Sequence, residues 1–308
     1  MKILITGACG YVGSRLVPVL LADGHKVTGL DSQLFGNGFL PDNENLQLVK
    51  GDIRNRRTVE ELLRGCNCVI HLAGLTNDGI CQRHEDDALS TNVEAFEPLV
   101  RAARNFGVGR FIFLSSVAVY GNTTVPVKED HPLNPTTLYG KHKAACEAVI
   151  NNYANDQFQC FILRPAGICG YAPRMRFDLT LNMMTLHAVR NGVIKIQGGE
   201  QVRPHLHIKD LTELMLKLLH YPSGGIYNVS RTNLSVQQAA ELVAGIIPAK
   251  IEIEPRSDDR SYHVASAKVR EIQGINHPLI EGIEEVGRKL QSGYWPDALT
   301  NPVYMNIP

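Results

Sequence analysis

The 308-residue sequence lacks an excess of charge of either sign and lacks any long hydrophobic run. Thirty-one Lys and Arg residues balance thirty-one Asp and Glu residues, so no overall field favours nucleic acid or an anionic membrane surface. The apolar run at the start of the chain is broken by a glycine at position 7, which is too early for a signal peptide or a membrane span. We therefore expect a cytoplasmic protein with no nucleic-acid or membrane partner.

The cysteines lack any metal-binding or disulfide pattern. They are seven, an odd number, and most of them lie in apolar segments that we expect to be core, which favours reduced thiols in a cytoplasm. Cys66 and Cys68 form one isolated pair and His205 and His207 another, and neither pair has a second ligand pair at an established spacing. The sequence therefore predicts no metal site.

Short runs rich in β-branched residues alternate with longer helical patterns through the first half of the chain, which is typical of a doubly wound α/β fold with a parallel sheet. Strands are predicted over residues 2–5, 26–30, 46–49, 68–71, 110–114 and 159–163. Helices are predicted over residues 11–22, 58–63, 88–106 and 139–153.

After about residue 165 the alternation breaks up into mixed segments. Helices are predicted over 179–191, 211–219 and 236–245, and strands over 193–197 and 225–229. We expect a main domain over residues 1–165 and a smaller C-terminal substrate-binding lobe over 166–308. No flexible linker separates them, so the two should pack closely, with late segments returning to the main sheet.

Three glycines follow the first predicted strand directly, at the head of a helix. Gly7 would allow a tight turn, Gly10 a close approach of the backbone to a pyrophosphate, and Gly13 close packing of helix on strand. The helix N-terminus adds unpaired N–H groups and a partial positive charge. This pattern indicates a Rossmann-type dinucleotide site, although a tight structural turn would also explain the glycines alone.

The second predicted strand ends at Asp31, about twenty residues beyond the glycines, where a carboxylate can accept hydrogen bonds from the adenine ribose and repel a 2′-phosphate. No arginine stands beside it in the sequence, so we predict NAD rather than NADP. The alternative is a turn-capping aspartate. Residues 51–53 and 71–74 follow the third and fourth strands, where an open sheet places its ligand.

A serine, a tyrosine and a lysine form the candidate catalytic group. Ser116 follows the fifth strand, and Tyr139 and Lys143 lie four residues apart on one face of a helix. An ammonium and an oxidised nicotinamide beside a phenol favour the phenolate, so we expect the pKa of Tyr139 to fall from about 10 toward neutrality. Tyr139 would act as general base, Ser116 would orient the reacting oxygen, and Lys143 would also hold the nicotinamide ribose. The alternative is a half-buried tyrosine beside a solvated lysine.

These motifs, in this order, resemble the extended short-chain dehydrogenase/reductases, and within them the NAD-dependent sugar-nucleotide epimerase/dehydratase group. The resemblance covers nearly the whole chain and includes TGACGYVG, GDI, HLAG, SSVAVYG, YGKHK, LRPAGICG and VRPHLHIKD. It implies a cytoplasmic enzyme, usually a homodimer formed through the helices at 88–106 and 139–153, whose smaller lobe binds the nucleoside diphosphate.

The resemblance also implies particular contacts. Substrate contacts are expected from Ser116 and, carried over by position, from Asn182, Arg203 and Arg260, since the planar fork of arginine engages phosphate oxygens bidentately. A surface ion pair is the alternative for either arginine. The expected cofactor contacts are Gly7, Gly10, Tyr11, Val12, Gly13, Asp31, Asp52, Ile53, Leu72, Ala73, Gly74, Asn92, Ser115, Tyr139, Lys143 and Pro165.

Two departures from the family pattern restrict the reaction. Relatives that dehydrate carry an acidic pair directly after the catalytic Ser/Thr, where this chain has Val117 and Ala118, so a 4,6-dehydratase lacks its acid/base group. Many epimerases carry an asparagine where this chain has Gly167. The neighbouring segment 171–178 contains two arginines that could hold phosphates or an acidic sugar.

The leading hypothesis from the sequence is an NAD-dependent 4-epimerase of a nucleoside-diphosphate sugar that acts through a transient 4-keto intermediate. A C4 dehydrogenase or a 4-keto-sugar reductase with net redox would use the same residues. A non-catalytic NAD sensor is a further alternative, but such a protein has no need of the Tyr139 and Lys143 pair.

Overall fold

The computed structural model describes residues 1–255 and 260–306. Its strands are β1 (Lys2–Thr6), β2 (Lys26–Asp31), β3 (Leu46–Lys50), β4 (Cys68–His71), β5 (Arg110–Leu114), β6 (Gln159–Pro165), β7 (Gly167–Cys169), β8 (Val193–Gln197), β9 (Val202–His207), β10 (Gly225–Val229), β11 (Thr232–Ser235) and β12 (Lys250–Glu254). Its helices are α1 (Tyr11–Ala22), α2 (Arg56–Leu63), α3 (Asp78–Arg83), α4 (Glu85–Leu89), α5 (Phe96–Asn105), α6 (Leu138–Tyr153), α7 (Thr180–Asn191), α8 (Ile208–Leu218), α9 (Val236–Ile246), α10 (Leu279–Gln291) and α11 (Pro302–Met305).

The main sheet has seven strands in the order β10-β6-β5-β4-β1-β2-β3, and every neighbouring pair is parallel. The inner strands are apolar on both faces, and all four residues of β4 are buried, as a sheet covered on both sides requires. The predicted Rossmann-type α/β fold is confirmed. All seven strands end at one edge of the sheet, and the candidate site lies along this edge.

Helices cover the two faces of the sheet with separate apolar cores. On one face, Leu16 and Leu20 of α1 pack in the same cluster as Leu211 and Leu214 of α8. On the other face, the cluster contains apolar residues of α2, α5 and α6. Because α8 comes from the C-terminal half, the chain returns to the main domain after building much of the second lobe.

The helix predicted over 88–106 is interrupted. The structure has α4, then a π-helical segment at Ser90–Glu94, then α5. Pro98 lies in the first turn of α5, where a backbone N–H has no partner within the helix, so its absence costs nothing. Without that N–H, however, a preceding α-helix cannot continue into α5. The wide turn directs Asn92 inward, where it is buried.

The second lobe has its own small sheets and core. Strands β11, β9 and β7 form one sheet and β12 and β8 another, and α7, α9 and α10 share an apolar cluster with β8. Strand β10 nevertheless joins the main sheet beside β6, so the division at residue 165 stays a prediction. Among the described residues, no helix is both long and apolar enough to cross a membrane.

Candidate active site

The turn after β1 is built from glycines because the backbone passes too close to its neighbours for side chains. Gly7 has a φ of +77°, and a Cβ there would lie 2.7 Å from the backbone nitrogen of Ala73 in the loop after β4. A Cβ on Gly13 would lie 2.5 Å from the carbonyl oxygens of Gly7 and Ala8. This cradle, open toward the N-terminus of α1, fits a pyrophosphate held by backbone N–H groups.

Asp31, at the end of β2, faces the glycine turn. Its carboxylate accepts hydrogen bonds from the backbone N–H of Cys9 at 2.9 Å and of Gln33 at 2.7 Å. Burial raises the pKa of Asp31, while these two bonds and the charge of Arg174 lower it. The sequence prediction found no arginine beside Asp31, but folding brings Arg174 near it, with the guanidinium 4.2 Å from the centre of the Phe35 ring.

Asn92 holds the loop that follows β4. Its side chain accepts a hydrogen bond from the backbone N–H of Leu75 at 2.8 Å and donates one to the carbonyl of Leu75 at 2.8 Å. A Cβ on Gly74, where φ is +150°, would lie 2.7 Å from the Asn92 amide oxygen. The polar atoms of Asn92 therefore position the loop, and any cofactor contact by this residue stays a prediction.

Three other predicted cofactor residues have their polar side-chain atoms engaged within the protein. Asp52 binds Arg54 at 2.6 Å, the Tyr11 hydroxyl donates to the carbonyl of Gly170 at 2.6 Å, and Ser115 Oγ donates to Glu147 at 2.5 Å. Val12 lies in the first turn of α1. The remaining ones lie at strand ends or in adjoining turns along the same edge: Gly10, Ile53, Leu72, Ala73 and Pro165.

The structure brings the predicted catalytic residues together. Thr137 caps α6 by accepting a hydrogen bond from the N–H of Gly140 at 3.1 Å, which places Tyr139 in the first turn of the helix. Ser116 lies close enough to the Tyr139 hydroxyl to lower the pKa of the phenol. Lys143 is buried rather than solvated, with its Nζ 5.7 Å from the centre of the Tyr139 ring and 2.7 Å from the Leu114 carbonyl, to which it donates.

The side chains of the protein alone do not produce the expected fall in the pKa of Tyr139. Burial raises the pKa of this phenol, and the charge of Asp78 acts in the same direction, whereas Arg176 and the hydrogen bond with Ser116 lower it. The sequence argument counted nearby positive charges and omitted desolvation, which favours the neutral phenol. Any phenolate therefore needs positive charge beyond that supplied by these side chains.

A buried polar network begins one helical turn beyond Lys143 on α6. Glu147, four residues after Lys143 on α6, pairs with Arg164 at 2.6 Å, and both side chains are almost fully buried. Arg164 also donates to the Tyr120 hydroxyl at 2.6 Å, and that hydroxyl donates to Asn228 at 2.7 Å. The network joins α6 to β6 and β10, and the sequence analysis missed it because these residues share no local pattern.

Two of the four predicted substrate residues meet in the second lobe. Arg203 donates from Nη1 to the carbonyl of Arg260, and the Arg260 guanidinium forms an ion pair with Asp78 at the start of α3. Asn182 is buried, and its amide binds the N–H of Gly170, the hydroxyl of Tyr11 and the carbonyl of Arg176. Asp258 and Asp259, which precede Arg260, lie outside the described residues.

Arg176 is the second cation near the phenol. It pairs with Asp178 at 2.6 Å and donates to Thr76 Oγ1 at 2.9 Å, while Asn77 donates to Asp178 at 3.0 Å. The loop after β4 is thus tied to the segment before α7. Sequence reasoning noted the arginine but missed the two nearby carboxylates, Asp78 and Asp178.

The site combines a glycine cradle after β1, a carboxylate at the end of β2 and a group of Ser, Tyr and Lys residues beyond β5. On a doubly wound sheet, these are features of dinucleotide-dependent oxidoreduction. The sequence model of the NAD dependent epimerase/dehydratase family matches residues 3–230, and the chain belongs to this family. It is an enzyme, and its cofactor is NAD.

Two relatives match the chain over most of its length. It is 30% identical to a UDP-glucose 4-epimerase of Mycolicibacterium smegmatis over 92% of this chain and 96% of that protein. It is 29% identical to the enzyme of the same name from Corynebacterium glutamicum over 89% and 90% of the two chains. The solved UDP-glucose 4-epimerase of Thermotoga maritima with UDP-glucose has a TM-score of 0.86, 23% identity, and coverage of 96% of this chain and 100% of that one, a likeness of fold.

Proposed function

We propose that this enzyme is a 4-epimerase of a nucleoside-diphosphate sugar that acts through a transient 4-keto intermediate. The observation that carries the proposal is the meeting of Ser116, Tyr139 and Lys143 at the edge of the sheet that also holds the glycine cradle. The names of the relatives support a uridine diphosphate sugar as the first substrate to test.

Bound NAD supplies hydride acceptance and return. The chain's own residues handle the proton and the position of the sugar. Tyr139 takes the proton of the C4 hydroxyl and later returns one, and Ser116, which lies beside this phenol, orients the same oxygen. Lys143 is fixed by its hydrogen bond to the Leu114 carbonyl, so its charge stays near the phenol ring. Arg203 and Arg260 are proposed to bind the diphosphate.

Dehydration is less well supported than epimerisation. Val117 is buried in an apolar cluster, and Ala118 has no ionisable group. Asp78 and Asp178 come from the loop after β4 and the segment before α7 rather than from the positions directly after Ser116, and Asp178 is paired with Arg176. Arg176 holds the pKa of Asp178 below its usual range, which leaves a carboxylate ill suited to donate a proton to a leaving hydroxyl.

A substrate deuterated at C4 tests the reaction. An epimerase returns the label to C4 of the product, so we expect retained deuterium and no net change in the NAD to NADH ratio. A C4 dehydrogenase or a 4-keto-sugar reductase uses the same residues but would lose or gain the label. Loss of label with stoichiometric NADH would overturn the epimerase proposal, and absence of turnover on a panel of nucleotide sugars would favour an NAD sensor.

The assembly and its compartment are proposed on the family resemblance. We propose a cytoplasmic homodimer formed through α5 and α6, which pack side by side on one face of the sheet. Native mass spectrometry checks the dimer and, in the same measurement, whether NAD and a nucleotide sugar are carried by the purified protein. A monomer at micromolar concentration would contradict it.

A further inference from the structure

We propose that Asp78 is a lock on the substrate site: it holds the guanidinium of Arg260 until the diphosphate of a nucleotide displaces it. The inference rests on the proposed function, which assigns Arg260 to that diphosphate. In this proposal the carboxylate of Asp78 competes with the nucleotide for Arg260, and this competition controls how tightly nucleotides bind.

The ion pair joins the loop after β4 to the C-terminal half of the chain. Asp78 begins α3 in the loop after β4, and Arg260 lies 182 positions later, on the side of the second lobe. The side chains of Arg260 and Asp78 remain 34% and 20% exposed, so an incoming anion can reach them. A guanidinium engages carboxylate and phosphate oxygens with the same N–H fork, so one group excludes the other.

The backbone of Arg260 is held independently of Asp78. Its carbonyl accepts a hydrogen bond from Arg203. The next residue, Ser261, accepts from the N–H of Thr123 at 2.8 Å, and His263 donates to Thr123 Oγ1 at 2.6 Å. Because Thr123 follows the Ser116 turn, these bonds anchor the arginine to the catalytic segment, and the side chain can change partners without dismantling the lobe.

Asp78 does not satisfy all of its hydrogen-bonding capacity while it is paired with Arg260. Asp78 Oδ2 binds the guanidinium, but Asp78 Oδ1 is buried and has no hydrogen-bond partner among the described residues. An unsatisfied buried oxygen makes this state costly. Its charge also raises the pKa of Tyr139, so the ion pair lies within electrostatic reach of the candidate catalytic phenol. An ion pair of this kind can be exchanged, unlike the buried pair of Glu147 and Arg164.

Calorimetric titration of UDP, and of dTDP in parallel, into the NAD-saturated protein tests the lock. Asp78→Asn keeps the shape of the side chain but removes the charge, so we expect nucleotide to bind about fivefold more tightly, as for loss of one partly exposed pair. In an Arg260→Ala background the same substitution should give no gain. Asp86→Asn removes one exposed charge from the neighbouring helix α4 and should leave the affinity unchanged.

The outcomes separate the lock from the proposed function. If the wild type binds nucleotide and Asp78→Asn binds it no more tightly, the lock is refuted while the epimerase proposal stands. The same conclusion follows if Asp78→Asn gives an equal gain in affinity in the Arg260→Ala background, or if Asp86→Asn gives the same gain as Asp78→Asn. If neither protein binds UDP or dTDP, both proposals fail together. Thermal melting and NAD affinity, which should match the wild type in Asp78→Asn, exclude a folding defect as the cause.

Discussion

The two ends of the cleft are built in different ways. At the cofactor end, consecutive residues at the ends of neighbouring strands form the site from backbone, and Gly7 and Gly13 matter because nothing larger fits. At the end that we propose binds the sugar, an ion pair joins two residues far apart in the chain, Arg260 and Asp78. The cofactor end therefore depends on shape and the sugar end on charge.

Tyr139 lies where the two ends meet, and its loss should have the largest effect. Tyr139→Phe removes the proton acceptor and donor but keeps the ring, so we expect kcat to fall about 10²- to 10⁴-fold with NAD and UDP affinity unchanged. Steady-state kinetics and calorimetry measure the two quantities. Tyr153→Phe is the control, because Tyr153 lies on the same helix with its hydroxyl on exposed Glu97. A kcat for the Tyr139→Phe enzyme within about tenfold of the wild-type value would contradict the role of the phenol.

The next largest effect tests shape at the cofactor end. Gly7→Ala meets both an unfavourable φ and the backbone of Ala73, so we expect a cost of about 2–5 kcal/mol in unfolding free energy and NAD affinity about tenfold weaker or worse. Gly24 has a nearly equal φ of +79° with nothing within 4 Å of a Cβ. Gly24→Ala should therefore cost only about 1 kcal/mol and leave NAD affinity unchanged. Equal effects on NAD affinity would mean that backbone strain alone, without close approach, explains the glycine.

The same contrast explains what the sequence could predict. The main sheet was predicted to within a residue or two per strand, because most of its strands are short runs rich in apolar residues that stand out from the helical patterns between them. The second lobe was less predictable: β7 has three residues, and Pro204 inside β9 argues against a strand. Helix α10 was overlooked although Leu279, Ile283, Val286 and Leu290 recur at helical spacing.

The site follows the same division. The glycine turn, Asp31 and the spacing of Tyr139 and Lys143 are local patterns, and the sequence analysis found them. The pairing of Asp78 with Arg260 joins segments 182 positions apart and leaves no periodic signal. The effect of burial on the pKa of Tyr139 could not be predicted, because burial is a property of the folded chain and leaves no pattern in the spacing of residues.

The smallest predicted effect concerns charge at the sugar end. Arg176 lowers the pKa of the Tyr139 phenol, and as a base this group works only when it is deprotonated. Arg176→Gln should therefore raise the phenol pKa, so that the rising limb of the pH–rate profile moves to higher pH and the lost activity returns in alkaline buffer. Arg176→Lys keeps the charge and should keep the limb in place. If both variants lower the rate equally at every pH, Arg176 acts by holding Asp178 and Thr76 in position rather than by tuning the phenol.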